Sequence, residues 1–296
     1  TNQGLYAARL EDIGNQPNAR SAFQMIEGTK GQVWSLQVMD GILLCGHNYG
    51  AFQIEGFNAR QISDIRGFWS FLMPDHLDDF LIAGTYSGIV RMQKRGDAWE
   101  FLDKVAGFRE SSRELFLQTS HELWISHGYR GLFKLHLNDD FSRVENVQLY
   151  YNEGNLPEEL PYNIHRVHGQ MRISTQDGFF QHVPGTDVFL PDDEMNALFQ
   201  DRGFIDKIFQ DVSGNIWYFT DRYPGVLRLL EDGTHRDITA PFSRVSAFLL
   251  PAFQNLFNLD ARNVFIGSQN GLIHYDSSII NDYNITEEVF FTEVSF

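Results

Sequence analysis

Six tyrosine and arginine side chains in this sequence have the chemistry of a ligand-binding surface, and all lie beside glycines that follow apolar segments. They are Tyr49, Tyr86, Tyr129, Arg130, Arg222 and Tyr223. Tyrosine rings pack on the apolar faces of sugar rings, and arginine donates hydrogen bonds to hydroxyl groups. A tyrosine at such a position also serves simply to pack a turn, since a fold alone does not locate a site. Both roles stay open, and these residues form the candidate ligand-binding set.

Ten histidines raise the question of a metal site. His165 and His168 are three residues apart, which on a strand places their side chains on opposite faces. His121 and His127 flank a predicted strand, and no carboxylate completes a set of three ligands at a recognisable spacing. We therefore predict surface or turn histidines, with no metal and no cofactor.

Carboxylates cluster in four short segments, which bears on whether the chain is an enzyme. These segments are residues 75–79, 138–140, 158–159 and 192–194. A glycosidase needs two carboxylates that face one sugar across roughly 5–10 Å. All four segments are turn-like, where solvation explains the charge, and no nucleophile elbow or phosphate-binding glycine loop is present. The single cysteine, Cys45, lies in an apolar segment and excludes a cysteine-built zinc site. We predict no catalytic residues.

The charge balance limits the partners. The 296 residues include 39 acidic and 23 basic side chains, a formal net charge of −16. Such a surface repels phosphate backbones, so we expect no nucleic-acid partner, and it favours neutral over anionic ligands. No apolar stretch approaches the roughly 18–20 residues that span a bilayer, so this segment is not expected to insert into a membrane.

A repeat predicts the elements that position the candidate residues. An apolar segment, a short polar turn, a glycine and further apolar residues recur, with the glycine at positions 4, 50, 88, 131, 178, 225 and 271. Seven copies give about 42 residues per unit, the size of a four-stranded propeller blade. We predict an all-β, seven-bladed β-propeller of four-stranded blades over residues 1–280.

Within each unit, the pattern assigns strands and turns. Residues 33–38 alternate with period two, as in an inner strand, and Asp40-Gly41 gives a hairpin turn. The turn between the second and third strands lies on the same propeller face as the connections between blades, so the candidate residues are expected on that face. Packing between blades accounts for most of the 26 phenylalanines. One departure, residues 190–199, predicts a short helix capped by Asp192.

Three segments carry a resemblance to a known repeat. Residues 211–217 read Asp-Val-Ser-Gly-Asn-Ile-Trp, residues 83–88 read Ala-Gly-Thr-Tyr-Ser-Gly, and residues 266–272 read Ile-Gly-Ser-Gln-Asn-Gly-Leu. They resemble the two-component regulator propeller repeat, whose form is Asp-x-x-Gly-x-[Ile/Leu]-Trp followed by Gly-Thr-x-x-Gly-Leu. The resemblance covers nearly the whole chain. The fifth copy departs from it, with Ser174-Thr175 where Gly-Thr is expected.

This resemblance implies a function. Members of the family include hybrid two-component sensors of gut bacteria, whose periplasmic region carries two seven-bladed propellers and an immunoglobulin-like domain ahead of a membrane helix and a histidine kinase. It implies a periplasmic, non-enzymatic domain that senses oligosaccharides, with the neighbouring domains of the parent sensor and a second protomer as partners. Residues 281–296 are expected to be a final strand that closes the propeller or leads into the immunoglobulin-like domain. The alternatives are a polysaccharide lyase or hydrolase, and a purely architectural propeller.

Overall fold

The computed structural model describes residues 2–13, 22–75, 77–221, 223–269 and 271–279. These residues form antiparallel sheets and two short helices, and the chain divides into two compact units, residues 1–206 and 207–296. Neither helix in the described ranges has the length or apolarity of a bilayer-spanning segment.

The first unit contains a two-stranded ladder and four blades of four strands each. The ladder, which we call the N-terminal ladder, pairs β1 (Tyr6–Ala7) with β2 (Gln24–Met25), and helix α1 (Leu10–Ile13) lies between them in the chain.

The first blade consists of β3 (Val33–Met39), β4 (Ile42–His47), β5 (Gly50–Glu55) and β6 (Asn58–Ser63). The second consists of β7 (Ser70–Leu72), β8 (Phe80–Thr85), β9 (Gly88–Arg95) and β10 (Ala98–Lys104). The third consists of β11 (Glu114–Leu117), β12 (Glu122–His127), β13 (Gly131–Leu137) and β14 (Val144–Tyr150). The fourth consists of β15 (Asn163–Val167), β16 (Gln170–Thr175), β17 (Gly178–His182) and β18 (Phe189–Pro191).

Helix α2 (Asp193–Leu198) follows the fourth blade. Asp192 is its N-cap and accepts a hydrogen bond from the Met195 N–H at 3.1 Å. The predicted short helix and its capping residue are therefore confirmed.

The second unit contains the remaining two blades. The fifth consists of β19 (Ile205–Gln210), whose first two residues precede the unit boundary, β20 (Ile216–Thr220), β21 (Pro224–Leu229) and β22 (His235–Ile238). Two 3-10 turns follow, Ala240–Phe242 and Ser246–Phe248. The sixth blade consists of β23 (Leu256–Asn258), β24 (Asn263–Ser268) and β25 (Gly271–Asp276).

The prediction of seven four-stranded blades is wrong. The described residues form the six blades of an all-β propeller, five with four strands and the last with three. The landmark glycines overcount by one because Gly4 precedes a two-residue strand of the N-terminal ladder, and that sheet has only two strands. Residues 281–296, predicted as a final strand, lie outside the described residues.

Apolar side chains between adjacent sheets hold the first unit together. Leu5 and Ile26 of the ladder region pack with Cys45 and Phe52 of the first blade. Three further buried clusters join the first blade to the second, the second to the third and the third to the fourth. Burial raises the pKa of the Cys45 thiol to about 12, so Cys45 is a small core residue.

In the second unit, the fifth and sixth blades share a core that contains Trp217, Phe242 and Ile266. The Asp-x-x-Gly-x-Ile-Trp segment shows how this tryptophan is held. Asp211 accepts hydrogen bonds from the backbone N–H groups of Ser213 and Asn215, both at 2.9 Å, and from the Trp217 indole at 3.1 Å. One carboxylate therefore closes the turn and orients the core tryptophan.

Gly84 and Gly88 stand at the two ends of the hairpin turn of the second blade, where each lies against a backbone carbonyl oxygen of the connection that follows β10. A Cβ atom on Gly84 would lie 1.8 Å from the carbonyl oxygen of Ser112, and one on Gly88, where φ is +104°, would lie 2.5 Å from that of Phe108. Both distances are shorter than any van der Waals contact, so only glycine fits. The glycine pair thus positions the β8–β9 turn against the connection to the third blade.

Candidate functional site

The turn between the second and third strands of a blade is held by the side chain just before it. In the second blade, Thr85 Oγ1 accepts the Ser87 N–H at 3.2 Å. In the first and third blades a histidine occupies this position, and its Nδ1 accepts the N–H of the tyrosine two residues later. These bonds are 3.1 Å long from Tyr49 to His47 and 3.2 Å from Tyr129 to His127. His127, predicted as a surface or turn histidine, is the last residue of β12 and binds the turn that follows it.

The structure brings two of the sequence-predicted residues, Tyr49 and Tyr86, to neighbouring turns. The Tyr86 hydroxyl donates a 2.8 Å hydrogen bond to Oδ1 of Asn48, the residue before Tyr49. Tyr49 is 50% exposed and Tyr86 is 36% exposed. Burial raises the pKa of Tyr86, so its hydroxyl is protonated at neutral pH and serves as a hydrogen-bond donor.

Tyr86 is part of a larger aromatic group with two tryptophans. The Trp34 and Trp69 ring centroids are 4.3 Å apart, and the Tyr86 centroid lies 5.2 Å from Trp69 and 6.2 Å from Trp34. All three side chains are only partly buried. We call Trp34, Trp69 and Tyr86 the aromatic platform. It lies on the face formed by the turns and the blade connections of the first and second blades.

Local backbone features place each ring of the platform. Trp34 is the extra residue of a β-bulge, since Val33 pairs with His47 and Ser35 pairs with Gly46. A bulge turns a side chain away from the regular strand direction, which here directs the indole to the end of the blade.

Tyr86 depends on a glycine in the connection between the first two blades. Gly67 has φ +76°, and a Cβ atom there would lie 2.1 Å from Cγ of the Tyr86 ring. The ring therefore lies flat on bare backbone. Trp69 follows two residues later and is fixed by its N–H, which donates to the Gly84 carbonyl oxygen at 2.8 Å.

The next blade connection supplies polar groups to the platform. The Trp69 indole donates to Ser111 Oγ at 3.1 Å, and the Arg113 guanidinium carbon lies 5.8 Å from the Trp69 ring centroid. The carbonyl oxygen of Arg113 accepts from Ser70 Oγ at 2.8 Å. A cation on one aromatic face and hydroxyl groups at the edge suit recognition of a hydroxylated ligand.

Two other predicted residues, Tyr129 and Arg130, lie at the turn of the third blade. Tyr129 is 90% exposed. Arg130 forms a 2.6 Å ion pair with Glu110, the neighbour of Ser111, which links this turn to the connection that borders the platform. The Arg130 guanidinium also lies 5.6 Å from the Phe133 ring centroid.

The last two predicted residues belong to the second unit. Tyr223 lies at the β20–β21 turn, where its N–H donates to Thr220 Oγ1 at 3.0 Å. Arg222 lies outside the described residues.

The structure assigns internal roles to some of the titratable residues considered as ligands or catalysts. Asp192 caps α2 and accepts a 2.5 Å bond from Arg172, and the same guanidinium binds Glu194 at 3.0 Å. His165, predicted at the surface or in a turn, is instead 5% exposed, and its Nε2 lies 2.8 Å from Ser174 Oγ. Among the described residues, no group of three or more His, Cys, Asp and Glu side chains could hold a metal ion.

Sequence reasoning missed Trp34, Trp69 and Arg113. A signal for the tryptophans was present, since each stands at the start of the inner strand of adjacent blades. Arg113 had no such signal, because its contact with Trp69 joins residues 44 positions apart across a blade interface.

Comparisons with known proteins support the fold. No protein-family model matches the sequence, and no curated protein matches it. Among solved structures, the extracellular domain of a hybrid two component system from B. thetaiotaomicron matches with a TM-score of 0.55 and 21% identity, over 84% of this chain and 32% of that chain. The WD40 beta propeller domain of Doa1 matches with a TM-score of 0.54 and 12% identity, over 87% of this chain and 82% of that chain. PorZ, a surface component of the type-IX secretion system of Porphyromonas gingivalis, matches with a TM-score of 0.51 and 12% identity, over 83% of this chain and 38% of that chain.

These identities are low, so the likeness concerns the fold. The chain spans about a third of the length of the two-component extracellular domain that it matches. It is an all-β propeller, similar in fold to one part of that domain.

Proposed function

We propose that this propeller is the ligand-binding part of a periplasmic two-component sensor and that its ligand is a glycan fragment. The observation that carries the proposal is the aromatic platform, three partly exposed rings grouped on the turn face of the first two blades. The repeat phrases and the fold likeness to a two-component extracellular domain support the sensor context.

The platform has the mixed chemistry that sugars require. A pyranose ring offers an apolar face of C–H groups and a rim of hydroxyls, so it binds best where aromatic rings lie beside polar groups. Here Trp34 and Trp69 supply the rings, while Asn48, Ser111 and Arg113 supply polar groups within the same face. Tyr49, Tyr129 and Arg130 extend this face along the neighbouring turns, and we retain Arg222 and Tyr223 as further candidates.

Binding would signal by shifting a conformational equilibrium. A ligand changes a population only through different affinities for two states. We propose that a glycan on this face, or at its border with a neighbouring domain of the parent sensor, favours one arrangement of two protomers. That arrangement passes the signal to the histidine kinase.

The test is calorimetric titration of the protein with a panel of neutral plant and host oligosaccharides. We expect at least one to bind, and Trp69→Ala to weaken that binding by tenfold or more, because truncation of a central aromatic contact commonly costs about 2 kcal/mol. Tyr86→Ala is the second variant, in case Trp69→Ala lowers stability. Phe101→Ala is the matched control, since Phe101 is an exposed aromatic on the outermost strand of the same blade as Tyr86.

Each other outcome counts against the proposal. Release of shortened sugars during the titration would identify a lyase or hydrolase. Complete absence of binding, to acidic as well as neutral oligosaccharides, would favour an architectural propeller. If Trp69→Ala and Phe101→Ala lowered the affinity equally, the ligand would not bind at the aromatic platform.

A further inference from the structure

A cleft of about 470 Å³ lies beside the first blade, bordered by the N-terminal ladder. Its lining includes two tyrosine rings, two amide side chains and one ammonium group, contributed by Tyr6, Tyr49, Asn2, Gln3 and Lys30. A volume of this size holds a ligand of one or two sugar rings. We call it the ladder cleft.

The wall formed by Tyr6 is anchored by its neighbours. The N–H of Leu5 donates to Thr29 Oγ1 at 3.0 Å, and the Leu5 carbonyl oxygen accepts from the Ile26 N–H at 2.8 Å. Thr29 Oγ1 in turn donates to the Ile26 carbonyl oxygen at 2.7 Å. Since Leu5, Ile26 and Thr29 are all buried, the backbone that carries Tyr6 is held in place while its ring stays 37% exposed.

The Tyr49 part of the lining depends on the absence of a side chain at Gly31. This glycine has φ +129°, and a Cβ atom there would lie 3.0 Å from both Tyr49 Cε2 and His47 Cε1. The Tyr49 ring therefore lies close against backbone. The carbonyl oxygen of Tyr49 also accepts from Gln61 Nε2 at 3.1 Å, which fixes the turn that carries the ring. The backbone that carries Tyr6 and the turn that carries Tyr49 are therefore both held in place.

The charge of the cleft is opposite to that of the whole molecule. Lys30 is the one charged residue among those that line the cleft in the described structure, and it forms no ion pair there. A second cation, the Arg66 guanidinium, lies 5.7 Å from the Tyr49 ring centroid. The described lining of the cleft thus offers an ammonium group and no carboxylate, which favours an anion over a cation in a chain whose net charge is −16.

We propose that the ladder cleft binds a uronic acid residue of a glycan, with its carboxylate on Lys30 and its ring between Tyr6 and Tyr49. Asn2 supplies an amide group for the hydroxyls. This inference rests on the proposed glycan-binding function and names the chemical class of one sugar unit. The net charge alone predicts neutral ligands, whereas this proposal predicts an anionic one. The two differ because a cation within about 10 Å, one Debye length, influences a bound carboxylate more than the distant acidic residues do.

The test uses matched pairs of ligands in calorimetric titrations. The acidic members are trigalacturonate and glucuronosyl-xylobiose, and each is paired with its carboxyl-reduced neutral analogue. We expect an acidic member to bind at least tenfold more tightly than its partner. Lys30→Gln is expected to bring the two affinities within threefold of each other. Lys104→Gln is the control, since Lys104 is an exposed lysine at the end of β10 and should leave the preference intact.

A second variant assigns the site. Tyr6→Ala should weaken acidic ligands tenfold or more and leave neutral ligands on the aromatic platform unaffected. Equal affinity for both members of each pair would overturn the carboxylate preference and leave glycan binding standing. If Lys30→Gln still preferred the acidic member of each pair, the carboxylate would bind outside the ladder cleft. Absence of binding to any acidic or neutral glycan would overturn both proposals.

Discussion

At the scale of single residues, Gly67 has the clearest consequence for the site. Its missing side chain is what allows the Tyr86 ring to lie on the connection between the first and second blades. The residue therefore affects the aromatic platform through the Tyr86 ring that lies on it.

We predict that Gly67→Ala destabilises the protein by about 3 kcal/mol. About 1–2 kcal/mol comes from an L side chain at positive φ, and the rest from packing lost when the Tyr86 ring is displaced. Gly56→Ala is the matched control, because Gly56 also has positive φ but has no atoms within 4 Å of an added Cβ. It should cost about 1 kcal/mol. Urea unfolding of both variants measures the difference, and equal losses would show that the ring contact contributes nothing.

Some residues of the aromatic face could be predicted from the sequence, and others could not. Tyr49 and Tyr86 were placed on the correct turns because a glycine marks each turn. Trp34 and Trp69 were missed as site residues, because a β-bulge and a blade connection direct their rings, and neither feature has a sequence period. The histidine spacing likewise did not reveal that His165 is buried.

At the scale of elements, the interface between the third and fourth blades contains a titratable group. The His182 ring of β17 lies 4.7 Å from Trp124 of β12 and 5.3 Å from Phe189 of β18, measured between centroids. Burial lowers the pKa of His182 and outweighs the opposite effect of the hydrogen bond between its ring and the Thr186 carbonyl oxygen. The Lys134 ammonium lowers the pKa further, and Glu122 and Asp187 have the smallest effects, both raising it. The histidine is thus packed in its neutral form.

The interface should weaken in mild acid. The unfolded chain binds a proton at His182 near pH 6.5, whereas the folded chain binds it only at lower pH. The free energy of unfolding therefore falls as the pH drops from about 7.5 to 5.5. We predict a smaller fall in His182→Phe, measured by urea unfolding at both pH values.

The control for this prediction is His136→Phe, which removes an exposed histidine of β13. It should lose as much stability between the two pH values as the unchanged protein. His47, whose pKa is also lowered by burial, contributes a loss of the same sign in all of these proteins. An unchanged fall in His182→Phe would contradict a neutral histidine at the interface.

The sequence predicted individual strands, turns and the helix α2 correctly, but it predicted the wrong number of blades. Period-two alternation and the landmark glycines predicted the hairpin between the second and third strands of each of the six blades, and Asp192 predicted α2. The blade count failed at Gly4, because a turn glycine reports one strand end and carries no information on how many strands pair beside it.

At the scale of the whole molecule, the net charge of −16 is the dominant long-range feature. Excess charge of one sign destabilises a folded chain by self-repulsion, and salt screens that repulsion.

We predict that raising NaCl from about 10 to about 300 mM increases the Tm by several degrees, since the Debye length shortens from about 30 Å to under 10 Å. Differential scanning calorimetry measures the shift. KCl should give the same increase, which separates screening from specific ion binding. A Tm that stays constant or falls would show that local ion pairs outweigh the net repulsion.

The hydrogen bond that closes the hairpin turns of the first three blades affects which residues can be replaced there. Thr85, His47 and His127 hold their turns from the strand end, through backbone N–H groups, so the side chains at the turn tips are spared from holding the loop. A tip side chain with no further contact of its own, such as the 90% exposed Tyr129, is therefore expected to be replaceable without a change in the backbone of the turn.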